Sequence, residues 1–184
     1  MQYSVAFMKG GSGAFFTFFY LFIIMDLSDL PSLIQQLSTK KVPDASNMCF
    51  GIVVSENKAE ISGSLLSGCV QTLEKYGTME ENIHVKTVPD AFELVYGANQ
   101  MTLTGNYDAV ILLGCIIRGE TAQFDVQCQG IAQGVARLNS MKETPIIFGL
   151  LTTNTLEQAY ERAGGKLGNR GAECAVEAIK MAKF

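Results

Sequence analysis

AVILLGCIIRGETAQFD (Ala109–Asp125) is the stretch of sequence that decides the fold. Its first half is an unbroken apolar run, which is typical of a strand buried on both faces of a parallel sheet. Its second half breaks at Gly119 and leads into a helical pattern that begins near Phe124. The stretch therefore predicts a strand, a loop and a helix, with the loop at the carboxyl end of the strand. Ligands bind at that end of open parallel sheets.

Short apolar runs alternate with longer helical patterns on both sides of this stretch, which is the βαβ signal of a parallel sheet covered by helices. The strand candidates are Cys49–Val54, Asn82–Val88, Ala109–Cys115 and Pro145–Leu151. The helix candidates are Glu60–Tyr76, Phe92–Thr102, Phe124–Met141, Thr155–Ala163 and Ala172–Met181, and Gly77, Gly105 and Gly164 stand where helices are expected to end. We predict an α/β fold, a three-layer α-β-α sandwich with a four-stranded, mainly parallel, flavodoxin-like sheet whose strands are buried on both faces.

Composition excludes several classes of function. The chain has 184 residues, 48% of them apolar, which suits one sizeable core. A net charge of −4 and scattered cations argue against a nucleic-acid partner. The five cysteines form no CxxC pair and sit mostly in apolar runs, so we predict free thiols in a cytoplasmic protein. The only histidine, His84, reads as a strand residue without a chemical role, and no ligand cluster predicts a metal or cofactor.

The N-terminal part of the chain differs from the rest. Residues 1–25 end in the apolar run AFFTFFYLFIIM (Ala14–Met25), which is shorter than the 20 or so residues that span a bilayer. Three interpretations compete: Met25 is the true start, the run is an apolar arm that packs on a partner subunit, or it targets a membrane. We favour the first and expect no membrane partner. Residues 26–47 read as an extended lead-in, and residues 48–184 as the domain.

Arg118-Gly119-Glu120-Thr121 lies between a strand and a helix, as a phosphate loop would. A helix N-terminus offers unpaired N–H groups and a partial positive charge. Gly119 would let the backbone approach an anion, and Thr121 would add a hydroxyl. The alternative is that Glu120 and Thr121 only cap the helix. Spacing alone does not decide between these two interpretations.

Four motifs together resemble the lumazine synthases. They are GCIIRGETAQFD (Gly114–Asp125), VPDAFEL (Val88–Leu94), FGLLTTNTLEQAYERAG (Phe148–Gly164) and GNRGAE (Gly168–Glu173), and the similarity runs in order from about Met48 to Phe184. The resemblance implies condensation of 5-amino-6-(ribitylamino)uracil with 3,4-dihydroxy-2-butanone 4-phosphate to 6,7-dimethyl-8-ribityllumazine, the precursor of riboflavin, without a cofactor or metal. It also implies small-molecule substrates and a homo-oligomer, either a pentamer or a 60-subunit shell.

The resemblance assigns roles to individual residues. Glu120 and Thr121 would bind the phosphate, Arg162 would supply its counter-charge, and Arg170 stands where the family often has lysine. Ala91, Phe92 and Glu93 would hold the ribityl chain. Cys115, Ile116 and Ile117 would read the pyrimidine edge through their backbone, and Phe148 would shield the reacting region across a subunit interface.

Three positions depart from the family pattern. Gln123 replaces the catalytic histidine, Asn57 replaces the aromatic residue that stacks on the pyrimidine, and Asp90 replaces a glycine. Glutamine forms hydrogen bonds but does not exchange a proton at neutral pH. We therefore predict a lumazine synthase with impaired catalysis. The alternatives are an inactive homologue that acts as a shell, a scaffold or a binder of a phosphorylated or flavin-like ligand, and an unrelated flavodoxin-like module.

Overall fold

The computed structural model describes residues 41–103 and 106–184, and Val42–Phe184 form one compact unit. The strands are β1 Phe50–Ser55, β2 Ile83–Val88, β3 Ala109–Ile117, β4 Ile146–Thr153, β5 Ala163–Gly165 and β6 Gly168–Asn169. The helices are α1 Ala59–Lys75, α2 Leu94–Leu103, α3 Gln123–Met141, α4 Leu156–Arg162 and α5 Arg170–Met181, and a 3₁₀ turn covers Glu80–Asn82. The predicted leader and most of the predicted lead-in, residues 1–40, lie outside the described residues, as does Gly105.

The four long strands form one parallel sheet in the order β2-β1-β3-β4, so the predicted fold class is confirmed. One expectation was wrong. The strand β2 is not buried on both faces, since its residues His84–Thr87 are exposed. The strand β4, at the other edge, is largely buried because α3, α4 and α5 cover it. The small β5–β6 hairpin was not predicted.

Alternating residues of the central strands supply two separate cores, one on each face of the sheet. Ile52 of β1 packs with residues of α1 and α5, whereas the next residue, Val53, packs with residues of α2 and α3. Both faces of a parallel sheet are therefore covered by helices, which explains why the central strands read as continuous apolar runs.

Glycine shapes the fold at two places where a side chain would not fit. Gly77 follows α1 with a φ of +102°, a left-handed conformation that ends the helix as predicted. Gly171, in the first turn of α5, lies so close to α1 that an added Cβ would overlap the backbone carbonyl oxygen of Leu65. In the part of the chain that the structure describes, no helix is long and apolar enough to cross a membrane.

Candidate functional site

A pocket of about 250 Å³ lies at the carboxyl ends of the parallel strands. Its walls come from three of the loops that the sequence places at this edge, and they are formed by Asn57, Lys58, Asp90, Cys115, Ile116, Ile117, Gly119, Thr121, Gln123, Phe124 and Gln127. Parallel strands end at the same edge of a sheet, so residues far apart in sequence converge here. The loop after β4 does not line this pocket.

The loop at the start of α3 offers unused hydrogen-bond donors. The helix is preceded by Ala122, and no side chain caps it, so the capping interpretation of Glu120 and Thr121 is not supported. The Thr121 hydroxyl has no hydrogen-bond partner within residues 41–103 and 106–184. No atom lies within 4 Å of the position where a Cβ would sit on Gly119. The backbone is therefore open to an anion at this point.

Arg118 holds the other side of this loop. Its guanidinium donates to both carboxylate oxygens of Asp125, over 2.9 and 3.0 Å, and its Nε donates to Asn154 over 2.9 Å. It also lies 4.1 Å from the centre of the Phe124 ring. Hydrogen bonding from Arg118 lowers the pKa of Asp125. These contacts hold the Arg118 side chain outside the pocket.

Two glutamines line the pocket from the first turns of α3. Gln123 and Gln127 are four residues apart, so they lie on the same face of the helix. Neither has an acid or base function near neutral pH. The thiol of Cys115 does not supply an acid or base either, because burial raises its pKa to about 11. A hydrogen bond with Thr153 and the charge of Lys58 lower that pKa, but by less than burial raises it.

The two other divergent residues contact each other. The Asn57 side-chain amide donates to Asp90 Oδ1 over 3.1 Å, and the backbone N–H of Ala91 donates to the same oxygen over 2.7 Å. The backbone N–H of Asp90 in turn donates to the Glu93 carboxylate over 3.2 Å. A polar bridge therefore joins the loops after β1 and β2, at the two positions where the resemblance implies an aromatic ring and a glycine.

Several residues predicted to form the site do not line this pocket in the single chain. Phe92 is 54% exposed and lines, with Glu93, a groove between α2 and α3, while Ala91 is buried. Glu120 is exposed and does not line the pocket.

The two predicted arginines are also outside the pocket. Arg162 donates to both oxygens of Glu173 over 2.9 and 2.7 Å. Arg170 pairs with Glu177 and donates to the carbonyl oxygen of Phe148, and all three residues line a separate pocket. Hydrogen bonding from Arg162 is the main cause that lowers the pKa of Glu173.

Sequence reasoning missed three residues of the pocket, Lys58, Phe124 and Gln127. Gln127 could have been found from its spacing of one helical turn after Gln123. Lys58 could have been found because it directly follows Asn57 in the loop after β1. No group of three or more potential metal ligands occurs among the described residues. The pocket is lined by hydrogen-bonding groups, by the apolar side chains of Ile116, Ile117 and Phe124, by one cation, Lys58, and by one carboxylate, Asp90.

The fold and the pocket define a class of protein. It is a three-layer α/β protein with a flavodoxin-like parallel sheet and an open pocket at the carboxyl ends of its strands, the edge at which such folds bind ligands.

Comparison with known proteins gives the family. A family described as 6,7-dimethyl-8-ribityllumazine synthase matches residues 47–184. A 6,7-dimethyl-8-ribityllumazine synthase of Bacteroides fragilis (strain YCH46) is 60% identical over 137 residues, which cover 74% of this chain and 96% of the relative. The synthase of Phocaeicola vulgatus (strain ATCC 8482) is 54% identical, over 78% of this chain and 85% of the relative. The synthase of Parabacteroides distasonis (strain ATCC 8503) is 51% identical, over 82% of this chain and 94% of the relative. The chain belongs to the lumazine synthase family.

Proposed function

We propose that this chain catalyses, slowly, the reaction for which its relatives are named, as a step of riboflavin biosynthesis. In that reaction 5-amino-6-(ribitylamino)uracil condenses with 3,4-dihydroxy-2-butanone 4-phosphate and gives 6,7-dimethyl-8-ribityllumazine. The observation that carries the proposal is the pocket at the end of β3, where Gly119, Thr121 and the uncapped start of α3 face an open space. These groups suit the phosphate of the ketose.

The rate is expected to be low because the pocket lacks a group that exchanges protons. The amine must attack the ketone, phosphate must leave, and ring closure must release water, and protons move in each of these steps. Gln123 orients a substrate through hydrogen bonds but does not carry protons. Losing a general acid or base costs about 10²–10⁴-fold in rate. Correct placement of two reactants alone lowers a barrier by roughly 7–11 kcal/mol, so slow synthesis survives.

A second copy of the chain would complete the site. Phe148 and Arg162 belong to the family pattern, but they do not line the pocket of their own chain. The helices α2 and α3 expose large apolar side chains, among them Tyr96, Val126 and Met141, as subunit interfaces do. We therefore place the active form in a homo-oligomer, in which these surfaces meet and Phe148 and Arg162 approach a neighbouring pocket.

The proposal is tested by incubating the purified full chain with both substrates and measuring lumazine fluorescence. Product formation above the rate in buffer supports it. Absence of that excess from a protein whose light scattering shows an intact oligomer overturns it.

One observation favours a second candidate, an inactive homologue that serves as a scaffold or binds a phosphorylated or flavin-like ligand. The bridge between Asn57 and Asp90 occupies the side of the pocket where a pyrimidine would stack. Under this alternative, the wild-type chain makes no product, whereas a variant with Gln123→His, Asn57→Trp and Asp90→Gly does. A rate that stays at the buffer level in both proteins would mean that the pocket has diverged beyond these three positions.

A further inference from the structure

Lys58 lies at the entrance of the pocket, and the family resemblance gives it no role. It immediately precedes the first residue of α1. It has a φ of 55° and a ψ of 51°, and it is the only residue other than glycine with a positive φ in the described parts of the chain. The backbone thus holds Lys58 in a left-handed conformation at the edge of the pocket.

The arginines around the pocket already have partners. Both terminal nitrogens of the Arg118 guanidinium are bonded to Asp125, and its Nε is bonded to Asn154. Arg162 is bonded to both oxygens of Glu173 and to the carbonyl oxygen of Leu167. Each guanidinium keeps two N–H groups outside these bonds, but neither residue lines the pocket of its own chain.

The ammonium group of Lys58, in contrast, is available to bind an anion. It forms no hydrogen bond or ion pair within the described residues. Two nearby carboxylates are already used, since Glu60 accepts a hydrogen bond from Tyr160 over 2.6 Å and Asp90 accepts one from Asn57. Lys58 is also the one cation among the residues that line the pocket.

The charge of Lys58 acts inside the pocket. It lowers the pKa of Cys115, which lies at the end of β3 in the pocket wall, against the larger effect of burial. The lysine and the donors of Gly119 and Thr121 border the same space of about 250 Å³. A tetrahedral anion in this space would meet hydroxyl and backbone donors from the α3 side and an ammonium group from the α1 side.

We propose that Lys58 is a binding residue of this pocket and contacts the phosphate oxygens of a small phosphate monoester. This assignment rests on the proposed function for the class of ligand only. Lysine contacts a phosphate as a point charge, so its reach from the other side of the pocket does not require the planar geometry of a guanidinium. Lys58 thus adds a counter-charge from the same chain as Gly119 and Thr121.

Calorimetric titration of the full chain with inorganic phosphate and with dihydroxyacetone phosphate tests the assignment. Lys58→Asn removes the charge, and asparagine tolerates a left-handed backbone, so folding is preserved. We expect the Kd for both probes to rise about tenfold in this variant, because a hydrogen bond to a charged group is lost. Lys58→Arg, which keeps the charge, should stay close to the wild-type Kd.

Lys75→Gln is the matched control, because it removes one lysine charge from the opposite end of α1, about 25 Å away. An unchanged Kd in Lys58→Asn, or no phosphate binding by the wild type, overturns the assignment. If Arg162→Gln weakens binding and Lys58→Asn does not, the anion is bound by the arginine instead. The titration contains no pyrimidine and needs no turnover, so it is independent of whether the chain makes lumazine.

Discussion

The side chain of Gln123 differs from an imidazole in one property that matters for catalysis. Both groups donate and accept hydrogen bonds, but only imidazole changes its protonation state near neutral pH. The structure places Gln123 on the pocket wall, at the start of α3 and close to the phosphate loop. Gln123 therefore lines the pocket with a hydrogen-bonding group that does not exchange protons near neutral pH.

We expect Gln123→His to raise the rate of lumazine formation by about 10²–10⁴-fold, because it restores a general acid–base. The rate of the variant should also acquire an inflection between about pH 6 and 7, which the wild type lacks. Gln127→His is the control, since it puts an imidazole in the same pocket one helical turn further on. Equal rates in the two variants would argue against a specific role for position 123.

The bridge between Asn57 and Asp90 predicts that substitutions at these positions are coupled. Asn57→Trp alone should improve pyrimidine binding little, because the carboxylate of Asp90 stays in the ring's place. Together with Asp90→Gly, it should improve binding by about 1 kcal/mol or more through stacking. A calorimetric double-mutant cycle with the ribitylamino-pyrimidine measures the coupling. Strictly additive effects would contradict it.

At the scale of elements, the close contact of α1 with α5 determines where the C-terminal helix lies. The contact depends on Gly171, which has no room for a Cβ against the backbone of Leu65. Asn169 adds a hydrogen bond of 2.8 Å from its side chain to the carbonyl oxygen of Ser64 in α1. The position of α5 in turn fixes Glu173 and, through it, Arg162.

Gly171→Ala should lower the free energy of unfolding by at least about 2 kcal/mol, because a backbone carbonyl cannot move aside as a flexible side chain does. Gly63→Ala, in α1, is the matched control. No atom lies within 4 Å of its added Cβ, so it should stabilise the protein by up to about 1 kcal/mol. Urea denaturation measures the change in the free energy of unfolding for both variants. Equal changes would contradict the close contact between α1 and α5.

The Arg162–Glu173 pair predicts a pH dependence of stability. Hydrogen bonding from Arg162 lowers the pKa of Glu173 in the folded chain, so ionised Glu173 stabilises the fold at neutral pH. This contribution is lost as pH falls below about 4 and through the lowered pKa. Glu173→Gln should therefore be less stable than the wild type at pH 7, and the difference should shrink in acid.

Chemical denaturation at several pH values measures this difference. Glu81→Gln is the control, because Glu81 makes no ion pair within the described residues. A difference between Glu173→Gln and the wild type that stays constant down to pH 3 would show that the ion pair does not stabilise the fold.

At the scale of the whole molecule, the apolar surface of α2 and α3 indicates a protein–protein interface. Tyr96 is 67% exposed and lies beside a groove that also contains Phe92 and Leu138. Apolar side chains that are exposed together usually belong to an interface.

We expect Tyr96→Glu to shift the protein towards smaller assemblies in sedimentation velocity, because it puts a charge into this interface. Gln71→Glu adds the same charge on α1, on the other face of the sheet, and should leave the assembly unchanged. Identical sedimentation of both variants and the wild type would exclude this surface as the interface.

The sequence predicted each long strand and helix to within two residues at either end, since each has a period or an apolar run of its own. It did not predict that β2 is exposed. An edge strand and a central strand can carry similar apolar residues, and only the strand order shows which is which. It also did not reveal that Phe92 lies outside the pocket, because the helix after β2 begins at Leu94 and leaves Phe92 in a turn.

By itself the sequence determined the parallel sheet, the family, and which loops meet at one edge, because the carboxyl ends of parallel strands always share an edge. Only the tertiary structure decided which charges are available there. Arg118 and Arg162 are used by carboxylates of their own chain, Asn57 meets a partner 33 residues away, and Lys58 stays free. The choice of partner for a charged side chain depends on distances between elements, which no local pattern encodes.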